Sequence, residues 1–220
     1  MWIKICGNTN LDDALLAADA GADAVGFVFA ESPRRVTIEQ VDAITQHLPE
    51  SLEKYGVFVD WDFEQIARTV TESGLTGVQL HATNDPLLST KLREHFGPEL
   101  GVLRVIHYTQ SLEAQLKAAQ EDISMNGVLV DSRTATAVGG TGVRFDWQTA
   151  RRSFLESSPH LRLIAAGGLN PANVTEAIQT LEPWGVDVSS GVEAIPGKKD
   201  PVKVRAFIIA AKAAAAQMMA

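Results

Sequence analysis

The sequence has a single cysteine, Cys6, in 220 residues. One thiol cannot close an internal disulfide or build a cysteine-based zinc site, so disulfide-framed secreted folds and zinc ribbons are excluded. No apolar run approaches the roughly 18 residues that a membrane span requires. The opening residues Met1–Cys6 also lack the basic stretch and apolar run of a secretory signal. Positive charge is scarce: Lys and Arg total 19 against 27 Asp and Glu, for a formal net charge of -8. That balance leaves no electrostatic footprint for nucleic acid. Linkers, charge blocks and low-complexity tracts are missing as well. These shortages predict a cytoplasmic protein without nucleic-acid or membrane partners, organised as one domain over residues 1–220. What is plentiful is apolar material, 45% of residues, enough for a packed core and against disorder. An acidic chain of this kind still has a way to bind an anion, through converging backbone N–H groups and a few Arg or Lys side chains.

Short β-branched runs alternate with longer helical patterns along the whole chain. The pattern predicts strands over 3–6, 23–29, 55–59, 77–81, 103–106, 127–130, 161–165 and 186–188. Helices are expected over 10–20, 37–47, 62–72, 86–96, 111–120, near 147–155, over 171–180 and from Pro201 onward. Asn10 and Asn170 stand where N-caps belong, with Pro171 at a first helical position. Gly21, Gly74 and Gly97 follow helical stretches, as C-terminal glycines do. Eight strand–helix units in a chain of this length favour a single closed (β/α)8 barrel of eight parallel strands, a TIM barrel. A doubly wound open sheet is the alternative, but no G-x-G-x-x-G follows the first strand.

Side chains alternate across a strand, so parity predicts which residues face the barrel axis. Ile3 and Ile5, Val78 and Leu80, Val128 and Val130, and Val186 and Val188 supply apolar faces for surrounding helices. The opposite parity sends Lys4, Cys6, Gln79, His81, Asp131, Asp187 and Ser189 inward or onto the mouth. Cys6, His81 and Asp131 fall at the C-terminal ends of their strands, the end that carries active sites in this fold. Buried polar groups there are costly unless paired or used. By residue type alone, Cys6 also reads as a packed thiol and Asp131 as a turn residue.

Two glycine-containing loops complete this reading. Gly167-Gly168 follows the seventh strand and Ser190-Gly191 the eighth, the two loops where this fold commonly holds phosphate. Gly140-Thr141-Gly142, after the sixth strand, offers either a third side or a loop that closes over substrate.

Several blocks resemble the phosphoribosylanthranilate isomerase family. They begin with Lys4-Ile5-Cys6-Gly7, Gly21-Ala22-Asp23-Ala24-Val25-Gly26-Phe27 and Ser32-Pro33-Arg34-Arg35, followed by Gly56-Val57-Phe58-Val59, Gln79-Leu80-His81 and Asp131-Ser132. Gly139-Gly140-Thr141-Gly142 with Phe145-Asp146-Trp147, Gly167-Gly168-Leu169-Asn170-Pro171, Asp187-Val188-Ser189-Ser190-Gly191-Val192-Glu193 and Gly197-Lys198-Lys199-Asp200 continue the match in order. One departure is Ala82, where the family pattern has Gly after His81. The resemblance implies an acid/base Amadori rearrangement of N-(5-phosphoribosyl)anthranilate without metal or organic cofactor, by a monomer or homodimer. It implies Cys6 as general base, Asp131 as general acid and Arg35 for the anthranilate carboxylate, with Arg34 as rival. By position, His81 and Asp187 are candidate substrate-side residues, with a structural or loop-organising role as the alternative, and Gly167, Gly168, Ser190 and Gly191 are the candidate phosphate grip. A free thiol is mostly protonated at neutral pH, so Cys6 needs a positive field, for which Lys4 is a candidate. Asp131 has to carry a proton when it acts. Two other readings stay open: the sugar-phosphate isomerase of histidine biosynthesis, where a carboxylate is expected in place of Cys6, and a non-catalytic sugar-phosphate-binding barrel.

Overall fold

A computed structural model describes residues 1–81, 85–107, 112–131, 151 and 161–218. Strands β1 (Trp2–Ile5), β2 (Ala24–Val28), β3 (Glu53–Val59), β4 (Gly77–His81), β5 (Gly101–His107), β6 (Gly127–Asp131), β7 (Arg162–Ala166) and β8 (Gly185–Val188) pair in chain order into a closed barrel. Every pairing is parallel, and β8 closes onto β1 with Lys4 opposite Asp187. Helices α1 (Leu11–Ala20), α2 (Ile38–Thr45), α3 (Phe63–Glu72), α4 (Leu88–Phe96), α5 (Leu112–Glu121), α6 (Val174–Leu181) and α7 (Pro201–Met218) accompany the strands. A 3₁₀ turn (Ser190–Val192) and a hairpin of β9 (Glu193–Ile195) and β10 (Lys198–Lys199) lie between β8 and α7.

Local chemistry explains the helix limits. Asn10 caps α1 by accepting from Asp13 N–H, and Gly21 ends that helix in the left-handed region. Thr37 with Gln40, and Asp62 with Gln65, form capping boxes at α2 and α3. One expected boundary is wrong. The Asn170-Pro171 signal marks a turn, not a helix start, and α6 begins at Val174. Asn170 accepts from Ala172 N–H, while Asn173 bonds back to the Gly168 carbonyl and the Asn170 N–H. The helix expected near 147–155, the Gly139–Gly142 loop, Phe145, Asp146, Trp147, Ala82 and Ser132 lie outside the described residues, apart from Arg151 within that helix range.

Parity divides the apolar residues into two cores. The outer one joins Ile3, Ile5, Val78, Leu80, Val128, Val130, Val186 and Val188 to the helices, including Ile66 and Val70 of α3. The inner one contains Trp2, Ala24, Tyr55, Leu103, Val105, Leu129, Ile164 and Ala166. Trp2 and Tyr55 meet edge-to-face, with ring centroids 5.9 Å apart. Gly77 and Gly101 make room for Tyr55: a Cβ at either would lie 2.4 Å from the tyrosine ring or its hydroxyl. Large side chains beside glycines therefore fill the lower barrel, and the interior is a packed core up to the level of Lys4.

Candidate active site

Above that core, the C-terminal ends of the strands enclose a cavity of about 310 Å³. Cys6, His81, Asp131 and Asp187 all line it, together with Gly167, Gly168 and Ser190. Parity thus brings together residues up to 184 positions apart in sequence. Cys6 directly follows β1 and Asp131 ends β6, with β7 and β8 between them around the barrel. Both are almost fully buried, at 6% and 4% exposure. Val28, Val57, Leu129 and Ala166 give the cavity an apolar floor and wall.

Gly7 turns the chain out of the barrel directly after Cys6. Its φ of +75° lies in the left-handed region, and a Cβ there would meet Arg34 Cδ at 2.6 Å. Below the thiol lies Lys4, with 0% exposure and among the largest side chains fully buried. Its ammonium donates to Asp187 Oδ1 at 2.5 Å and Gln79 Oε1 at 2.8 Å. Gln79 then turns its amide nitrogen toward His81 Nε2, 3.1 Å away. A lysine has donors only, so Gln79 presents its oxygen to Lys4 and an N–H to His81, whose Nε2 accepts. Burial works against the charge on Lys4, but Asp187 and Cys6 outweigh it and raise its pKa above the ordinary lysine value. Burial pushes the Cys6 thiol up. Lys4 and Lys199 pull it down, while Asp187 adds to the rise.

A second buried ion-pair network holds the rim. Arg34 makes a two-pronged bond to Glu193, Nε to Oε1 at 2.7 Å and Nη2 to Oε2 at 2.6 Å. Lys199, 1% exposed, donates to Glu193 Oε1 at 3.2 Å and to the Cys6 carbonyl at 2.6 Å. Burial raises the Glu193 carboxyl, but Arg34 and Lys199 prevail and hold it below the usual range. The clasp therefore ties the loop after β2 and the β9–β10 hairpin to the backbone of Cys6. Glu193→Gln leaves Lys199 buried without an anion and is expected to cost about 3 kcal/mol, read by urea denaturation. Because the folded carboxyl titrates below its unfolded value, this contribution is complete above the unfolded carboxylate pKa. It is lost as pH falls through the lower, folded value, so the variant should show a shallower loss of stability in acid.

Arg35 is placed apart from the cavity. Its side chain is 58% exposed and pairs with Glu31 at 3.1 Å beside a shallow depression bounded by Phe29, Val36 and Trp61. Its rival Arg34 lines the cavity. Gly191 stands just behind the wall, where a Cβ would fall 1.8 Å from the Leu169 carbonyl oxygen. This close approach joins the loops after β7 and β8. Sequence reasoning missed three participants. Glu193 and Lys199 carried no motif of their own beyond the family blocks. His107 ends β5 opposite Asp131 in register, 6.4 Å from the His81 ring, and the parity of Leu103 and Val105 marks it as inward. Among the described residues, no group of three or more His, Cys, Asp or Glu side chains is placed to hold a metal ion, and no helix is long and apolar enough to cross a membrane.

Comparison with known proteins agrees across the chain. The family model for N-(5'-phosphoribosyl)anthranilate (PRA) isomerase matches residues 3–210. The N-(5'-phosphoribosyl)anthranilate isomerase of Pelobacter propionicus is 42% identical over 96% of this chain and 95% of its own. The crystal structure of phosphoribosyl anthranilate isomerase from Thermotoga maritima is 38% identical, with a TM-score of 0.83 over 97% of this chain and 99% of that one. A crystal structure of the isomerase with reduced 1-(o-carboxyphenylamino)-1-deoxyribulose 5-phosphate is 36% identical, with a TM-score of 0.80 over the same shares.

Proposed function

The chain belongs to the N-(5'-phosphoribosyl)anthranilate isomerase family and catalyses the isomerisation of phosphoribosylanthranilate in tryptophan biosynthesis; we propose that Cys6 is its general base and Asp131 its general acid. The rearrangement needs one proton donor and one acceptor. Asp131 gives a proton to the ribose ring oxygen, and the C1′–O bond breaks to leave a Schiff base. The Cys6 thiolate then removes the C2′ proton, giving an enolamine that tautomerises to the 1-deoxyribulose product. The reading is supported above all by Cys6 and Asp131 lining one cavity on strands separated by β7 and β8, a separation that suits groups acting from two sides of a sugar.

The substrate phosphate fits the glycine loops after β7 and β8, where backbone N–H groups are free of side-chain bulk. Arg35 takes the anthranilate carboxylate. Its exposed pair with Glu31 is worth little, so exchanging Glu31 for a substrate carboxylate is cheap. Arg34 is already committed to Glu193. Arg35→Ala is therefore expected to raise KM roughly 10- to 100-fold, the worth of one charged hydrogen-bonded pair, with a smaller change in kcat. An unchanged KM in steady-state assays would move the carboxylate to another group. His81 and Asp187 sit beside the reacting centre, and their bonds to Gln79 and Lys4 favour an organising role over direct proton transfer. A cytoplasmic location suits a biosynthetic enzyme of this kind.

A further inference from the structure

We propose that Lys4 is a positioning residue for the rearrangement: its ammonium, held in place by Asp187 and Gln79, is the built-in counter-charge of the Cys6 thiolate. The inference rests on the reading of Cys6 as the base and adds how a buried thiol becomes one.

Three observations carry it. An ammonium has three N–H donors. Asp187 Oδ1 and Gln79 Oε1 take two of them, and the Cys6 side chain, two residues further along the same face, is coupled electrostatically to the same ammonium. That leaves a third N–H, for which a Cys6 thiolate would be a far better acceptor than the thiol. Packing over Gly26 forces the two side chains together: a Cβ on that residue would lie 2.7 Å from Cys6 Sγ and 3.1 Å from Lys4 Cε. Barrel closure fixes the third member, because Lys4 and Asp187 are register partners across the β1–β8 seam.

The pairing also has an energetic logic. A buried cation that faced only a neutral thiol would be unpaired, which is costly. Asp187 neutralises Lys4 while the thiol is protonated. It also competes with the thiolate for Lys4, so the pair restrains the thiol as well as assisting it. The other charged and titratable groups around Cys6 are Lys199, bonded to the Cys6 carbonyl and to Glu193, Arg34 beyond Gly7, and His81 and Asp131 across the cavity. Lys4 differs from these in sharing with the Cys6 sulfur the space over Gly26.

The single cysteine makes a direct test possible. The rate of iodoacetamide alkylation of this 220-residue chain, followed against pH, reports the Cys6 titration alone. Asp187→Asn leaves the sulfur as the one anion available to Lys4, so its midpoint should fall by about one to three pH units. The double variant Lys4→Met/Asp187→Asn removes both charges without leaving either unpaired, and its midpoint should rise above that of the parent. Lys4→Arg should remain nearer the parent than the double variant does. The alkaline rise of kcat/KM should move in the same direction as each alkylation midpoint. Equal midpoints in all variants would overturn the proposal, as would a rise with Asp187→Asn. A neutral structural role for Lys4 predicts equal midpoints. If the midpoints move as expected but Cys6→Ser keeps full turnover, the counter-charge stands and the assignment of Cys6 as base fails.

Discussion

Replacing Cys6 by serine, or Asp131 by asparagine, is expected to lower kcat by about 10²- to 10⁴-fold while affinity for the reduced product changes less than about tenfold. Serine has nearly the shape of cysteine, but its hydroxyl holds its proton too tightly to act as a base here. Asparagine keeps the volume of Asp131 and loses the acidic proton. Each change removes a transition-state interaction and leaves the phosphate loops and the carboxylate contact intact, so binding should survive. Retained turnover in both variants would assign the proton transfers to other groups of the chain. If Cys6→Ser fails and Asp131→Asn does not, the base is right and another group is the acid. His107, opposite Asp131 in register, is then the first to examine.

Gly191→Ala is expected to raise KM by about 10²-fold or more and to lower the unfolding midpoint. A methyl group there would sit 1.8 Å from the Leu169 carbonyl oxygen and 2.9 Å from its carbon. Both are backbone atoms, so no flexible side chain can yield. The loops after β7 and β8 would have to separate by more than an ångström, and the N–H groups proposed to hold the phosphate would lose their aim over such distances. Gly168→Ala is the informative contrast. Its φ is +66°, yet among the described residues a Cβ would meet no atom within 4 Å. Its stability cost should stay near the ~1 kcal/mol of left-handed backbone strain. Equal stability loss in the two alanine variants, measured by urea denaturation, would contradict the close-contact argument.

Alternation along strands made most of this barrel legible. Because Val186 and Val188 had to face helices, Asp187 had to face the axis, and the same logic placed Cys6, His81 and Asp131 on one mouth. What parity cannot supply is the partner across a closed barrel. Lys4 and Asp187 are 183 positions apart and meet only because β8 returns to β1. The Arg34–Glu193–Lys199 clasp was illegible for a different reason: charged residues in loops are exposed by default, and only the folded hairpin buries Lys199. The arginine pair shows the limit of adjacency. One chain step separates Arg34 from Arg35, yet a tight turn sends one into the cavity and leaves the other beside Trp61. The Asn170-Pro171 signal misled because the local chemistry of an N-cap also serves a turn, and Asn173 diverts the backbone bonds that would start the helix.

The proposed rearrangement depends on a thiol and a carboxyl acting on one bound sugar, and the most direct measurement is a crystal structure of this chain with the reduced product bound. The phosphate should sit on the Gly167-Gly168 and Ser190-Gly191 loops. The atom derived from C2′ should lie about 3–3.5 Å from Cys6 Sγ, with the Asp131 carboxyl on the other side, near the oxygen released from the ring. A ligand whose phosphate lies on those loops while its ribulose carbons contact neither Cys6 nor Asp131 would contradict the assignment.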